Sequence, residues 1–156
     1  MASGALQSIA IVLGLIALGA IFVAAEIALI SLRDSQVKQI STKGKRGARV
    51  AHLAKNPNRF LAAAQISITL CGFLSAALGA EQLGVYVIPR LEEIGLSAGT
   101  SEVLSIVVIT LVIAYISLVF GELVPKRLAL YKTEAIALAL AATIDRIANL
   151  FRPIIW

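Results

Sequence analysis

The chain has 156 residues, is 59% hydrophobic, and carries a formal net charge of +5 from 14 Lys and Arg against 9 Asp and Glu. A soluble domain is about 45–50% apolar, and here the excess lies in long charge-free runs, which argues against a soluble core and for a membrane protein. The bases cluster beside those runs and are not interleaved with aromatic residues, which argues against nucleic-acid binding, and the single cysteine, Cys71, excludes an intramolecular disulfide and reads as a small packing residue.

The first charge-free run extends from Met1 to Ala25. It has no Lys or Arg before it and no small-residue cleavage pattern after it, so it reads as a spanning helix, over about residues 5–30, and not as a signal peptide. Next come Arg33, Lys38, Lys43, Lys45, Arg46, Arg49, Lys55 and Arg59, with only Asp34 opposing them in this stretch. Val37, Ile40, Ala48, Ala51 and Leu53 give the stretch helical periodicity, interrupted at Gly44 and Gly47. This predicts short amphipathic helices against the inner membrane surface over about residues 33–55. Asn56-Pro57-Asn58 is a turn that opens the second span, about residues 59–80. The connection that follows is acidic, with Glu81, Glu92, Glu93 and Glu102 against Arg90.

The third span covers about residues 102–121 and is followed by Lys126, Arg127 and Lys132. Beyond it, Ala135 to Ile144 is apolar, but Asp145, Arg146 and Arg152 interrupt the stretch. A charge at the bilayer centre costs about 2.5–3.5 kcal/mol on insertion scales. A juxtamembrane helix over about residues 133–152 is therefore expected in place of a fourth span. The chain reads as one all-α integral membrane domain over residues 1–156, with three transmembrane helices plus short cytoplasmic juxtamembrane helices. The positive-inside rule expects a multi-pass protein of the cell membrane. Its basic loop and C-terminal end would be cytoplasmic, in reach of anionic lipids, and its N-terminus extracellular. No internal repeat is apparent. The sequence stops at Ile154-Ile155-Trp156 without a closing turn, which reads as part of a longer chain.

The most specific motif is Phe120-Gly121-Glu122-Leu123-Val124-Pro125-Lys126. Pro125 removes a backbone donor and frees a carbonyl near position 121. Gly121 admits a backbone or an ion at close range. A freed carbonyl beside the Glu122 carboxylate suits a hard cation. The plain alternative is a helix end with Glu122 paired to a lysine. Glu26 is an acidic group in or near the first span, either functional or a structural partner for Lys126. Ala24, Ala25 and Ala28 permit close helix contact beside it. In the second span Ser67 and Cys71 share one face, and Gln65, Thr69 and Gly72 share another. Such groups either bond neighbouring helices or line an ion path. His52, the only histidine, has no partner at ligand spacing. No phosphate-binding loop, dinucleotide fingerprint, zinc pattern or hydrolase elbow occurs, so no catalytic residue and no enzyme are expected.

Ala24-Ala25-Glu26-Ile27-Ala28-Leu29, Gln65-Ile66-Ser67-Ile68-Thr69-Leu70 and Gly121-Glu122-Leu123-Val124-Pro125-Lys126 together resemble the transmembrane domain of the CorC/CNNM family of magnesium transporters. The resemblance implies three spans, juxtamembrane helices, a homodimer and export of Mg2+ coupled to Na+. It implies a Mg2+ site between the spans, built from the Ala24 carbonyl, the Ser67 hydroxyl and the Gly121-Glu122 pair. The sequence departs from some relatives in its alanines at 24 and 25 and its serine at 67. The family's cytoplasmic nucleotide-sensing domains are absent from this chain, so nucleotide regulation is not expected of it. Two other classes fit the residues. One is a small proton-coupled cation or drug exporter, which would need a wide aromatic pocket where the spans offer only Phe22, Phe60, Phe73, Tyr115 and Phe120. The other is a non-transporting membrane scaffold whose polar groups only join helices.

Overall fold

A computed structural model describes the backbone of residues 2–155 and the side chains of residues 4–154. With no proline and no charge before Glu26, the first apolar run forms one uninterrupted helix, α1, Ala2–Ile30. The basic stretch folds as α2, Asp34–Ser41, and α3, Gly44–Lys55. Pro57, preorganised for a first helical turn, opens α4, Pro57–Glu93. Ser97 caps α5, Ala98–Ile116, by accepting the Thr100 N–H at 3.4 Å. The same helix continues through a π-helical stretch, Ser117–Leu123, into α6, Val124–Tyr131. Then follow α7, Thr133–Leu150, and the short α8, Arg152–Ile155. The described residues contain no strand.

Three stretches are long and apolar enough to cross a membrane: Gly4–Ile30, Pro57–Glu93 and Ala98–Tyr131. Two of them outrun the apolar runs that announce them. The second helix continues beyond residue 80 to Glu93, and the third beyond residue 121 to Tyr131. Hydropathy marks the part of a helix in lipid, whereas Glu81-Gln82-Leu83 and Lys126-Arg127-Leu128 are good helix formers in water as well. At 1.5 Å per residue the 37 residues of α4 extend about 55 Å, well over a hydrocarbon core of about 30 Å. Gly95, at φ 97°, ends that helix, and the Leu96 N–H returns to the Leu91 carbonyl at 3.3 Å.

α1 packs along α4, α4 along α5, and α1 also meets the π-helical stretch and α6. Toward one end of the bundle Val12 and Ile16 of α1 cluster with Ile109 and Ile113 of α5. There Gly79 lets α4 and α5 close: a Cβ at that position would stand 2.0 Å from Ile113 Cδ1. At the other end a larger apolar cluster joins Phe22 and Leu29 of α1 to Ile40, Val50, Leu53, Phe60 and Ile144.

The basic segment is a helical hairpin. Gly44, at φ 70°, opens α3. Gly47 lies within α3, where a Cβ would stand 1.8 Å from the Ile40 carbonyl oxygen, so only glycine permits the crossing. The two glycines therefore build the hairpin, where the sequence pattern reads them only as interruptions. Ile40, Ala51 and Leu53 are buried as the pattern indicates, Val50 and Gly47 join them, and Ala48 is exposed.

α7 tucks its Ala137, Ala141, Ile144 and Ala148 stripe against α1, α3 and α4. Its acids reach the basic hairpin: Glu134 meets Lys43 at 3.6 Å and accepts from Gln36 at 3.2 Å, and Asp145 meets Arg49 at 3.5 Å. Arg59 donates to Asn149 on the same helix. Asp34 is thus the only acid opposing the bases along that stretch, but α7 supplies two more in space.

Candidate functional site

Glu122 does not sit at a helix end. The π-helical stretch carries it through the middle of the third helix, and π turns of this kind are rare and frequent at functional sites. The cause is local. The Val124 N–H bonds the Val119 carbonyl, five residues back, and Pro125 has no N–H to offer. The carbonyl of Phe120 therefore finds no donor at the fourth or the fifth residue after it. The freed oxygen lies one residue before the position the motif itself indicates.

The same stretch borders a cleft of about 470 Å3 where α1, α4 and the third helix meet. Ile16 and Gly19 come from α1, Gln65, Thr69, Cys71 and Gly72 from α4, and Ser117, Gly121 and Glu122 from the π-helical stretch. Apolar side chains of Leu15, Ile68, Phe73, Ile113 and Leu118 complete its walls. Gly121 allows the approach of α1: a Cβ there would meet Ser117 Oγ at 3.3 Å and Ile16 Cγ2 at 3.4 Å. Gln65 donates to Thr69 Oγ1 at 3.4 Å along one face of α4.

Charge collects at one side of this cleft. Lys126 donates to Glu122 Oε2 at 3.3 Å, one helical turn away, with both side chains about two-fifths exposed. Glu26 of α1 is half-buried and is not among the residues that line the cleft. Glu122 thus lines the cleft and is paired to a lysine, though not at a helix end. Among the described residues no group of three or more His, Cys, Asp or Glu side chains is placed to hold a metal ion.

Of the four positions singled out in the sequence as a ligand set, Gly121 and Glu122 line the cleft and Ala24 and Ser67 are not among its lining residues. Ser67 is buried and donates to the Ala63 carbonyl at 2.9 Å, within its own helix. Ala24 packs at the edge of the large apolar cluster. Gln65, Thr69 and Gly72, assigned to a shared face by spacing, do line the cleft together. Ser117 is the cleft residue that spacing arguments pass over. It stands four residues before Gly121, on the same helical face, and that offset is the signal that could have found it.

A helical membrane domain with a cleft beside a π-helical stretch is the class that fold and site define. The sequence matches the model of the cyclin M transmembrane N-terminal domain over residues 10–156, and the chain belongs to that family. It is 41% identical over 143 residues to the UPF0053 protein sll0260 of Synechocystis, covering 91% of this chain and 32% of that protein. It is 34% identical over 143 residues to the UPF0053 protein YhdT of Bacillus subtilis, covering 91% and 31%. It is 27% identical over 154 residues to a protein of Haemophilus influenzae named polyamine export protein, covering 96% and 35%. The chain thus spans about a third of the length of these curated relatives.

Proposed function

We propose that this chain is the membrane domain of a cation exporter, not an enzyme, and that its cargo is Mg2+. The observation that carries the reading is the π-helical stretch, which sets Gly121 and the Glu122 carboxylate against a three-helix cleft. Mg2+ takes oxygen ligands in octahedral geometry and gives up water reluctantly. Six waters at about 30 Å3 each amount to about 180 Å3, so a cleft of about 470 Å3 has room for an ion that keeps most of its shell. Glu122 supplies charge, while Gln65, Thr69 and Ser117 supply hydrogen-bonding groups to bound water. Ser67 and the Ala24 carbonyl enter this proposal through the family resemblance, as does coupling to Na+. The positive-inside argument supports a cytoplasmic position for α2 and α3 and an extracellular N-terminus. It also brings the exposed Lys38, Lys45, Arg46 and Lys55 within reach of anionic lipid headgroups.

A second reading has a specific observation behind it. Two relatives are named polyamine export protein, and the cleft combines one carboxylate with apolar walls, which suits a chain of ammonium groups and methylenes. Calorimetric titration of the purified chain with Mg2+ and, separately, spermidine decides between them. Mg2+ heat that disappears in Glu122→Ala supports the first reading. Spermidine heat that disappears in Glu122→Ala, with no Mg2+ heat in the wild type, transfers the function to the second.

A further inference from the structure

A second cleft, of about 370 Å3, lies between α4 and α5 and shares no lining residue with the first. Glu81 and Gly84 of α4 border it together with Glu102 and Ser105 of α5. Gly84 is 24 positions along α4 from Phe60, which packs in the large cluster near α3 and α7, so this cleft sits about 36 Å away, at the opposite end of the bundle. Neither Glu81 nor Glu102 has a hydrogen bond or ion pair among the described residues, and no basic residue lines the cleft. Arg90, the one base in this acidic region, is already paired with Glu93 at 3.5 Å.

Ser105 is the independent sign that the cleft takes a ligand. It is 1% exposed and its hydroxyl has no partner. Ser101 is also buried without a partner but does not line this cleft, whereas Ser8 and Ser67 donate to the carbonyl four residues back. Ser105 does not, and its Oγ is turned to Gly84, 3.6 Å from where a Cβ would stand, on the wall of the same cleft. A buried hydroxyl without a partner is costly to leave so. We propose that Glu81, Glu102 and Ser105 form a binding site for a hard divalent cation, separate from the cleft at Glu122. Two carboxylates and a hydroxyl on two helices make an oxygen set of loose geometry. Such a set favours Ca2+, which accepts 6–8 flexible ligands, over Mg2+, which demands a regular octahedron. With only two charges the affinity falls in the weak class, about 10⁻⁴–10⁻³ M.

The test is calorimetric titration of the detergent-solubilised chain with CaCl2 and, separately, MgCl2. A Ca2+ site is expected that persists in Glu122→Ala and weakens roughly tenfold or more in Glu81→Gln/Glu102→Gln, since ligand charge sets affinity in such sites. Both glutamates are exposed, so the double variant leaves the fold intact. Ser105→Ala is expected to weaken Ca2+ about threefold and, having lost only an unpartnered hydroxyl, to melt no lower than wild type in chelator. Ca2+ binding unchanged in the double variant, or abolished by Glu122→Ala, overturns the proposal. Tighter binding of Mg2+ than of Ca2+ at the surviving site overturns the preference for Ca2+.

Discussion

Glu122 and Ser67 differ in what each can give a cation: one a charge that lines the cleft, the other a hydroxyl already donated to its own helix. Glu122→Ala should therefore weaken Mg2+ binding by roughly ten- to a hundredfold, the scale of a charge-assisted contact of about 1.5–3 kcal/mol. Ser67→Ala should change it by less than about threefold, and Glu26→Gln should still bind. Mg2+ titration of the folded variants checks the order. If Glu122→Ala binds like wild type while Glu26→Gln does not, Glu26 is the working carboxylate. Gly121 and Glu122 are legible in the sequence as neighbours in one motif at the end of an apolar run, and the structure places both on the cleft wall. The choice between the Ser67 face and the Gln65 and Thr69 face is not legible. Spacing says which residues share a face, but the rotation of α4 against its neighbours decides which face meets the cleft. Ser117 is hidden for another reason: a lone serine in a membrane helix is common and usually bonds its own backbone.

At the scale of elements, the hairpin of α2 and α3 depends on one missing side chain. Gly47→Ala would drive a methyl into the Ile40 carbonyl, a backbone atom that cannot turn aside. The expected cost is about 3 kcal/mol, the upper end of overpacking effects. The hairpin should then loosen first, seen as faster proteolysis near Lys43 and Lys45 while the three long helices keep their circular dichroism. A variant cleaved at the wild-type rate would show that the hairpin adapts. The existence of the helices follows from apolar period and length, but two features do not. The extension of α4 to Glu93 lies outside the window that hydropathy reports. The pairing of α7 acids with α3 bases needs the fold, because Glu134 and Lys43 are 91 positions apart.

For the whole molecule, orientation is the first expectation to test. Gly44 and Gly95 mark the two ends of the bundle, but both have positive φ, so a cysteine at either would strain the turn it reports on. Lys45 and Ala98 are exposed neighbours without that problem. In a Cys71→Ala background, an impermeant thiol reagent applied to intact cells should label Ala98→Cys and leave Lys45→Cys untouched. The reverse pattern would invert the topology. The homodimer is the second expectation. Light scattering of the detergent-solubilised chain should report two copies, and a monomer that still binds Mg2+ tightly would remove the dimer from the mechanism.

The third helix buries Ser101, Ser105, Ile109, Ile113, Gly121, Pro125 and Ala129, with Ser117 half-buried, so its inward residues recur at every fourth position. An α-helix completes a turn in 3.6 residues, so each step of four overshoots by about 40°, and the seven steps from Ser101 to Ala129 would carry the stripe about 280° around the rod. A regular helix would thus turn its two ends toward different neighbours. The π-helical stretch closes its hydrogen bonds over more residues per turn and takes back part of that overshoot. The irregularity behaves like a leap day, correcting a drift that a uniform count would accumulate. Deleting Val119 should let the helix regularise, keeping its helical signal while swinging Lys126 and Ala129 by about 100° against the upper half. Such a variant should insert normally and yet lose its response to Mg2+ in calorimetry. Retained binding would mean that the count of residues, and not only their chemistry, is free to vary at the cleft.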